Sequence, residues 1–380
     1  MTTLHLIGAG HVAERLIKKS ATDCCLYDNN VDLQGEYLHG GLINKVEDLS
    51  NLEDGEIIIC TTSVFEVENQ LKDLQVKIPV SVAKEIEEFA VHSKILNTDY
   101  QFLIASGLPS NNMHGAVGGL YLYDEGTTEQ GAQLEQIVDG PCHAIVRSGD
   151  ELLVSSQEQG LLFLDSDFGI TNRIEIAKNA RIHGVSESSS KYVVVCSNLD
   201  SIAVIDKQTQ LIQYIPFSEK CQSLGSPQHH ANDVCVIGNS AYVSMFSTSG
   251  NWKHGLFDGG LLEINLETHE TTRVVNDLML PHSVSCVDGC LVALDSFRGK
   301  MFSFTQYPEY CFNGFLRGFD YDNEYFYFAE SRNRNSTGLV KERLPASLDS
   351  KINIVDRKFN FSKSVQLPAY ISEIHSILHM

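Results

Sequence analysis

A strand pattern that recurs six times constrains this 380-residue chain more than any other feature of its sequence. From residue 101 onward, short β-branched and aromatic runs alternate with Gly, Asp, Asn and Ser, which is typical of an all-β fold. One strand type occurs at 101–106, 151–156, 192–197, 241–246, 291–296 and 325–330, and a second type follows at 119–124, 160–165, 201–206, 260–265, 300–305 and 351–356. A third, more polar strand follows each second one. Six such four-stranded units predict a six-bladed β-propeller over residues 101–380.

The two ends of the repeat region predict how the ring closes. The first unit, 101–138, lacks an innermost strand, whereas the segment from His375 to Leu378 resembles such a strand and lacks partners. We therefore expect the C-terminal strand to complete the first blade.

A short motif opens the innermost strand of every unit. It contains a histidine in four units, an asparagine in one and an arginine in one: His143, His183, His282, His375, Asn232 and Arg317. Because inner strands line the central channel of a propeller, these six side chains are expected to face one another at one mouth. The neighbouring antiparallel strands end on the same side, which adds Asp295 and Glu330 to the rim. A ring of imidazoles that repel when protonated predicts a metal or an anionic ligand at its centre, with a water-filled polar channel as the alternative.

Long loops are expected over the same mouth. They span 107–118, 247–258 and 331–350, and the side chains that suit ligand binding are His114, Trp252, Lys253, His254 and Arg332. Binding residues often lie on loops that a rigid scaffold positions. Solvated loops without a ligand are the alternative.

The first hundred residues carry a different pattern, a strand followed by a glycine turn and a helix. Gly8, Gly10 and Ala13 fit a dinucleotide-binding turn, and Asp28 follows Gly8 at the spacing of a ribose-binding acid. The spacing predicts a Rossmann-like α/β domain over residues 1–97 that binds a nucleotide or nucleotide-sugar. A Rossmann-like unit without a nucleotide is the alternative.

Two family resemblances accompany these patterns. The segments Gly8-Ala9-Gly10-His11, Asp28-Asn29-Asn30 and His39-Gly40-Gly41 resemble the small N-terminal domain of sugar O-acyltransferases, in which that domain contacts a nucleotide-sugar. The segments 228–234, 280–283 and 294–296 resemble the gluconolactonase/regucalcin/strictosidine-synthase superfamily of six-bladed propellers and, more closely, a bacterial propeller family of unassigned function.

The second resemblance implies a divalent-cation site. Asn232 and Asp295 match two of the superfamily's three ligand positions, but the expected glutamate has no match. Imidazoles stand instead at His375 and His143, and they favour Zn, Mn, Fe or Ni over Ca. This departure argues against lactonase activity itself. The metal ligands predicted at this stage are His143, Asn232, His282, Asp295 and His375.

Composition restricts the partners. The formal charge of −21 disfavours nucleic acids and anionic membrane surfaces, and no apolar run has the length of a membrane span. The N-terminus has no basic leader region, and the ten Cys lack CxxC spacing, so we expect a cytoplasmic protein with reduced thiols. Homo-oligomerisation is left open.

These observations favour a metal-assisted hydrolase, lyase or epimerase that acts on a small anionic, sugar-like metabolite at the propeller mouth. In this hypothesis His183 and His230 serve as proton carriers, Arg317 holds the anion and Glu330 contributes from the rim. Two alternatives remain. One is a non-catalytic ligand- or partner-binding propeller with a nucleotide-binding N-terminal domain, and the other is an NAD-dependent oxidoreductase, for which no proton-relay residue can be named.

Overall fold

The computed structural model describes residues 3–20, 22–108, 117–126, 132–304, 307–332 and 349–380. Strand makes up 47% and helix 14% of the described residues. The chain divides into two compact units, Met1–Thr98 with Asp356–Lys363, and Asp99–Val355 with Ser364–Met380. Within the described ranges, none of the helices has the length and apolar character that crossing a bilayer requires.

The N-terminal unit is built on one sheet of short strands. Its elements are β1 (Leu4–Ile7), α1 (His11–Lys19), β2 (Cys24–Tyr27), β3 (Tyr37–Leu38), β4 (Gly41–Asn44), β5 (Glu56–Ile59), α2 (Val64–Asp73), β6 (Val80–Val82) and α3 (Glu87–Asn97), with 3-10 turns at Val46–Asn51 and Lys84–Ile86. The strand order is β3-β4-β2-β1-β5-β6. Leu6, Leu26 and Ile57 of the central strands are fully buried and form its core with the apolar faces of the helices.

The prediction of a Rossmann-like α/β domain is wrong for this region. The sheet is mixed, because β3 pairs antiparallel with β4, and its strands contain only two to four residues. His39 and Gly40 both have positive φ, 53° and 89°, so residues 37–42 form a tight hairpin between β3 and β4. The parallel strands β2 and β4 are therefore joined without a helix.

The second unit contains six separate sheets. Their strands are β7 (Gln101–Ser106), β8 (Gly119–Asp124), β9 (Gln133–Asp139), β10 (Cys142–Ser148), β11 (Glu151–Ser156), β12 (Gly160–Leu164), β13 (Ile170–Ile174), β14 (Ile182–Glu187), β15 (Lys191–Cys196), β16 (Ser201–Asp206), β17 (Ile212–Pro216), β18 (Ala231–Ile237), β19 (Ser240–Met245), β20 (Gly259–Asn265), β21 (Thr271–Leu278), β22 (His282–Val287), β23 (Cys290–Asp295), β24 (Lys300–Ser303), β25 (Phe315–Tyr321), β26 (Tyr325–Ser331), β27 (Lys351–Asp356), β28 (Ser362–Gln366) and β29 (Ile374–His379). A short helix, α4 (Lys220–Leu224), and 3-10 turns at Ser197–Leu199 and Trp252–His254 lie between strands.

These sheets form the six-bladed propeller that the repeat predicts. Five sheets have four strands each, and each inner strand is adjacent to the next around a closed ring, in the order β10, β14, β18, β22, β25, β29. The sheet β22-β23-β24 has three strands in the described part of the chain, with a single further bridge from Lys300 to Cys311. As expected, β29 pairs antiparallel with β7 and completes the first blade with β8 and β9.

Every inner strand has a β-bulge near its N-terminal end. The register shifts lie within 142–144, 182–185, 231–234, 282–285, 316–318 and 374–376. Each bulge inserts one extra residue at or beside the repeated motif position. Such an insertion changes the direction in which the side chains of the bulged strand point. The repeated sequence motif therefore coincides with a β-bulge in every blade.

Side chains tie the inner strands to one another, since the backbones of neighbouring blades belong to different sheets. Ser376, Ser186, Asp233 and Asp320 each accept a hydrogen bond from a backbone N–H of the next inner strand, at 2.7–3.3 Å. Ser283 donates to the carbonyl of Arg317, and His143 Nδ1 donates to the carbonyl of Ile182 at 2.9 Å. Together the six bonds join all six pairs of neighbouring inner strands.

Ring closure by β29 yields a direct test. Deleting Ile374–Met380 removes the buried Ile374, Ile377 and Leu378 and leaves β7 with an unpaired edge. Because loss of one such side chain typically costs about 2–5 kcal/mol, we expect the unfolding temperature to fall by roughly 10 °C or more. A synthetic peptide of residues 372–380 should restore it in calorimetry, whereas a scrambled peptide should not. An unchanged unfolding temperature in the truncated chain would contradict this closure.

Candidate functional site

Three of the repeated histidines meet inside the ring. His143, His183 and His375 each offer one ring nitrogen, and these nitrogens all lie within 4.8 Å of one another. The rings of His143 and His183 stack with centroids 4.3 Å apart, and His375 meets His143 edge-on at 4.5 Å. All three residues are at least nine-tenths buried. We call these three residues the histidine cluster.

The tautomer of His143 is fixed by its surroundings. Its Nδ1 lies 2.9 Å from the carbonyl oxygen of Ile182, which can only accept, so Nδ1 carries the proton and Nε2 presents a lone pair. His183 Nε2 is buried, and no described group lies within hydrogen-bonding distance of it. A buried polar atom without a partner is costly, and a bound cation would satisfy it. The cluster therefore has the chemistry of a metal site.

Burial keeps the rings of His143 and His183 neutral. It lowers the pKa of His143 and His183 well below 6.5, and the neighbouring imidazoles and Arg181 lower both further. Burial likewise lowers the pKa of His282, with a smaller contribution from Arg317. Metal coordination requires the neutral imidazole, so the environment favours the ligating form near neutral pH.

A buried ion pair borders the cluster and includes a residue that the sequence analysis missed. Glu373 Oε1 lies 3.7 Å from Arg317 Nη2, and Glu373 Oε2 lies 3.5 Å from His375 Nε2. Both Glu373 and Arg317 are nearly inaccessible to solvent, and the guanidinium also covers the Phe315 ring at 4.5 Å. The sequence offered one signal for this residue, because Glu373 stands two residues before the motif histidine His375.

A series of ring contacts connects the cluster to Trp252 in the loop between β19 and β20. The His282 ring lies 6.4 Å from that of His375 and meets Phe315 and Phe246 edge-on, at 5.5 Å each. His282 Nδ1 lies 3.0 Å from the carbonyl oxygen of Leu280 and 2.9 Å from Ser296 Oγ. The carbonyl can only accept, so a proton on Nδ1 suits this contact and leaves Nε2 as an acceptor. His230 stacks on Phe246 at 4.2 Å and meets the Trp252 ring at 4.7 Å. The predicted residues His230, His282 and Trp252 thus share one aromatic surface.

Three other predicted residues have local structural partners. Asn232 is in the ring register, but its amide nitrogen donates to the Pro281 carbonyl at 3.0 Å. The carboxylate of Asp295 accepts from the Met279 N–H at 2.9 Å and pairs with Arg298 at 2.8 Å. Glu330 accepts from Asn353 at 2.6 Å and lies 3.2 Å from Lys351, which are both on the next strand of its own blade. Asn232, Asp295 and Glu330 are not part of the histidine cluster, and their functional roles stay predictions.

Those predicted substrate-binding residues that the structure describes lie on loops or next to strand ends, and their role stays a prediction. Lys253 Nζ lies 6.0 Å from the Trp252 ring centroid, and His254 is exposed in the same 3-10 turn. The backbone N–H of Arg332 donates to the Ser372 carbonyl at 3.0 Å, one residue before Glu373. His114 lies outside the described residues.

The predicted nucleotide-binding residues form contacts within their own turn. Asp28 Oδ2 accepts from the N–H of Ala9 at 2.8 Å, so the carboxylate assigned to a ribose bonds to the glycine loop itself. Gly8 has a φ of 98°, and a Cβ there would lie 2.9 Å from Thr61 Cβ. Gly10 precedes α1, and Ala13 is fully buried against the sheet. These contacts explain the residues without a nucleotide.

Comparisons with known proteins add little beyond the fold. No family model matches the sequence, and no curated protein matches it. Among solved structures, a nidogen/laminin complex matches with a TM-score of 0.49 at 8% identity, covering 74% of this chain and 98% of that one. A virginiamycin B lyase from Staphylococcus aureus (TM-score 0.42, 12% identity, 62% and 73% covered) and a regucalcin from Agrobacterium tumefaciens (0.42, 13%, 60% and 74%) also match. The predicted six-bladed propeller is confirmed, and the resemblance to the N-terminal domain of sugar O-acyltransferases is not supported.

The buried imidazoles predict a specific pH dependence of stability. Their pKa values lie below 6.5 in the folded state, so the unfolded chain binds more protons as the pH falls below 6.5. Stability should be full above pH 6.5 and decline toward pH 5, by up to about 1.4 kcal/mol per pH unit for each histidine. Denaturant unfolding of the metal-free protein should show this slope, and His183→Asn should make it shallower. An equal slope in both proteins would contradict the assignment.

Proposed function

We propose that the propeller is a metal-dependent enzyme of the hydrolase or lyase type whose ion is held by the histidine cluster. The observation that carries this proposal is the convergence of three buried imidazole nitrogens within 4.8 Å, one of which, His183 Nε2, has no described partner. His183 Nε2 is a buried polar atom without a hydrogen-bond partner among the described residues, and burying such an atom costs free energy that a bound cation would offset.

The donor set fits a transition metal. Neutral imidazoles are ligands that Zn, Mn, Fe and Ni accept, whereas Ca requires a shell of oxygens. The backbone bond that fixes Nδ1 of His143 is also the usual support of a metal-ligating histidine. When bound, an ion of this kind polarises a carbonyl or lowers the pKa of a coordinated water.

The other residues have roles that the chain itself supports. Arg317 provides a permanent positive charge beside the cluster, which suits a carboxylate or phosphate on a small substrate. His282 has its Nδ1 fixed by the Leu280 carbonyl, so Nε2 can accept a proton from a substrate in the channel. The aromatic surface of Phe246, Phe315 and Trp252 suits the apolar face of a sugar-like ring.

The net charge of the chain affects which anions could reach the proposed site. The chain carries −21 overall, and Glu373 balances the charge of Arg317, so the proposed ion would supply the excess positive charge at the cluster. Such a site favours small anionic metabolites that enter the channel and disfavours polyanions such as nucleic acids, which the remaining surface repels. Hydrolysis and elimination at a carbonyl substrate both use a polarised carbonyl and a base, which the proposed ion and His282 would supply.

Elemental analysis tests the metal directly. We expect the purified protein to contain a stoichiometric transition metal and His143→Ala to retain at least about tenfold less, because a neutral ligand is lost. The measurement is mass-spectrometric metal analysis after dialysis, repeated after reconstitution with Zn, Mn, Fe and Ni.

His11→Ala serves as the matched control, since that histidine side chain is 95% exposed and lies in the N-terminal unit. Wild-type protein without metal after reconstitution would overturn the proposed function. If His143→Ala retains as much metal as the wild type, the metal is bound at a site other than the histidine cluster.

A further inference from the structure

We propose that Glu373 is a fourth ligand of the ion at the histidine cluster, so that the site is a three-histidine, one-carboxylate centre. This inference rests on the proposed function and deepens it. It names an anionic ligand that the repeated motif does not contain, since none of the six motif positions is an acid.

The position of the carboxylate supports this role. Glu373 Oε2 lies 3.5 Å from His375 Nε2, which is close to the separation of two ligands on one ion with bonds of about 2.0–2.2 Å. Gly107 lies against the same nitrogens, because a Cβ on it would be 2.5 Å from His375 Nε2 and 3.5 Å from His143 Nε2. His375 Nε2 and His143 Nε2 thus border one small volume that a glycine keeps open, and Glu373 Oε2 lies beside the first of these nitrogens.

The two oxygens of Glu373 have different neighbours. Oε2 is on the side of His375, whereas Oε1 is 3.7 Å from Arg317 Nη2. An arginine that engages one oxygen orients a carboxylate to coordinate through the other, as supporting residues do around metal ligands. The backbone is also fixed, because the Glu373 carbonyl accepts from the Gly107 N–H at 3.0 Å. Arg317 is in this view a positioning residue as well as an anion-binding one.

A carboxylate ligand changes what the site can bind. Three neutral imidazoles leave a divalent ion with its full charge, whereas one carboxylate reduces the net charge of the centre to +1 and adds a hard oxygen donor. The mixed donor set favours Mn, Fe and Zn over Cu(I), which prefers soft sulfur ligands. The ion is then stabilised in a buried position, where an uncompensated double charge would be costly.

The test compares Co²⁺ binding by metal-free wild type, Glu373→Gln and a control variant. Glu373→Gln preserves volume but removes the charge, and we expect it to weaken Co²⁺ binding by at least about tenfold and to change the visible absorption of the bound ion. Glu187→Gln is the matched control, because Glu187 lies on β14 with His183 but pairs with Lys207 at 2.7 Å. It should bind Co²⁺ with the wild-type affinity and spectrum.

The outcomes separate this inference from the proposed function. If wild type binds Co²⁺ and Glu373→Gln binds it with unchanged affinity and spectrum, the fourth ligand is overturned while the histidine site stands. If wild type binds no Co²⁺, both proposals fail. Circular dichroism and the unfolding temperature of each variant show whether a loss of binding reflects unfolding. If Glu373→Gln does not fold, Glu373→Asp replaces it, since a shortened carboxylate should alter the spectrum of a ligand but not of a distant residue.

Discussion

The structure depends on six side-chain hydrogen bonds that join the inner strands into a ring. Backbone pairing within each sheet stops at its innermost strand, so neighbouring inner strands are joined by side chains and packing. A backbone bond from the Leu316 N–H to the Ser296 carbonyl, 3.3 Å long, adds to these contacts between two of the blades. The connecting atoms come from Ser, Asp and His side chains rather than from a uniform residue type. One of these bonds, from His143 Nδ1 to Ile182, also fixes the tautomer of a cluster residue. The scaffold and the candidate site therefore share this hydrogen bond, and a substitution of His143 would alter both.

Burial decides the chemistry of the channel. The same desolvation that lowers the pKa of His143 and His183 makes their neutral nitrogens available as ligands, and it makes the unsatisfied nitrogen of His183 costly. Glu373 and Arg317 provide opposite charges where either alone would be unstable. Beyond the ring, the C-terminal halves of the inner strands line a cavity of about 580 Å³ with Asp320 and Asp233 among its residues. The histidine cluster and this cavity are thus formed by different parts of the same inner strands.

The repeat made the propeller and its closure predictable, because periodic strands leave few alternatives. It also placed all three histidines of the cluster in one register, but it assigned His183 as a proton carrier and not as a metal ligand. It could not distinguish His143, His183 and His375 from Asn232, since the motif assigns them equal places and the bulges decide where each side chain lies. Glu373 was missed because it precedes the motif. Asp295 and Glu330 were assigned to the site because their strands end near it, but a local arginine and the neighbouring strand hold them. In the first hundred residues, the glycine turn suggested a crossover fold, whereas the positive φ of His39 and Gly40 produces a hairpin.

Closure of the ring by β29 has a consequence for the order of folding. His375 and Glu373 follow all the other strands of the six blades in the sequence, whereas Gly107 and His143 belong to the first two blades. The histidine cluster therefore cannot assemble within any one blade or from consecutive residues. A chain that has folded only its first blades would leave β7 with an unpaired edge and would have no complete cluster. The proposed ion would meet all of its ligands only after the ring has closed.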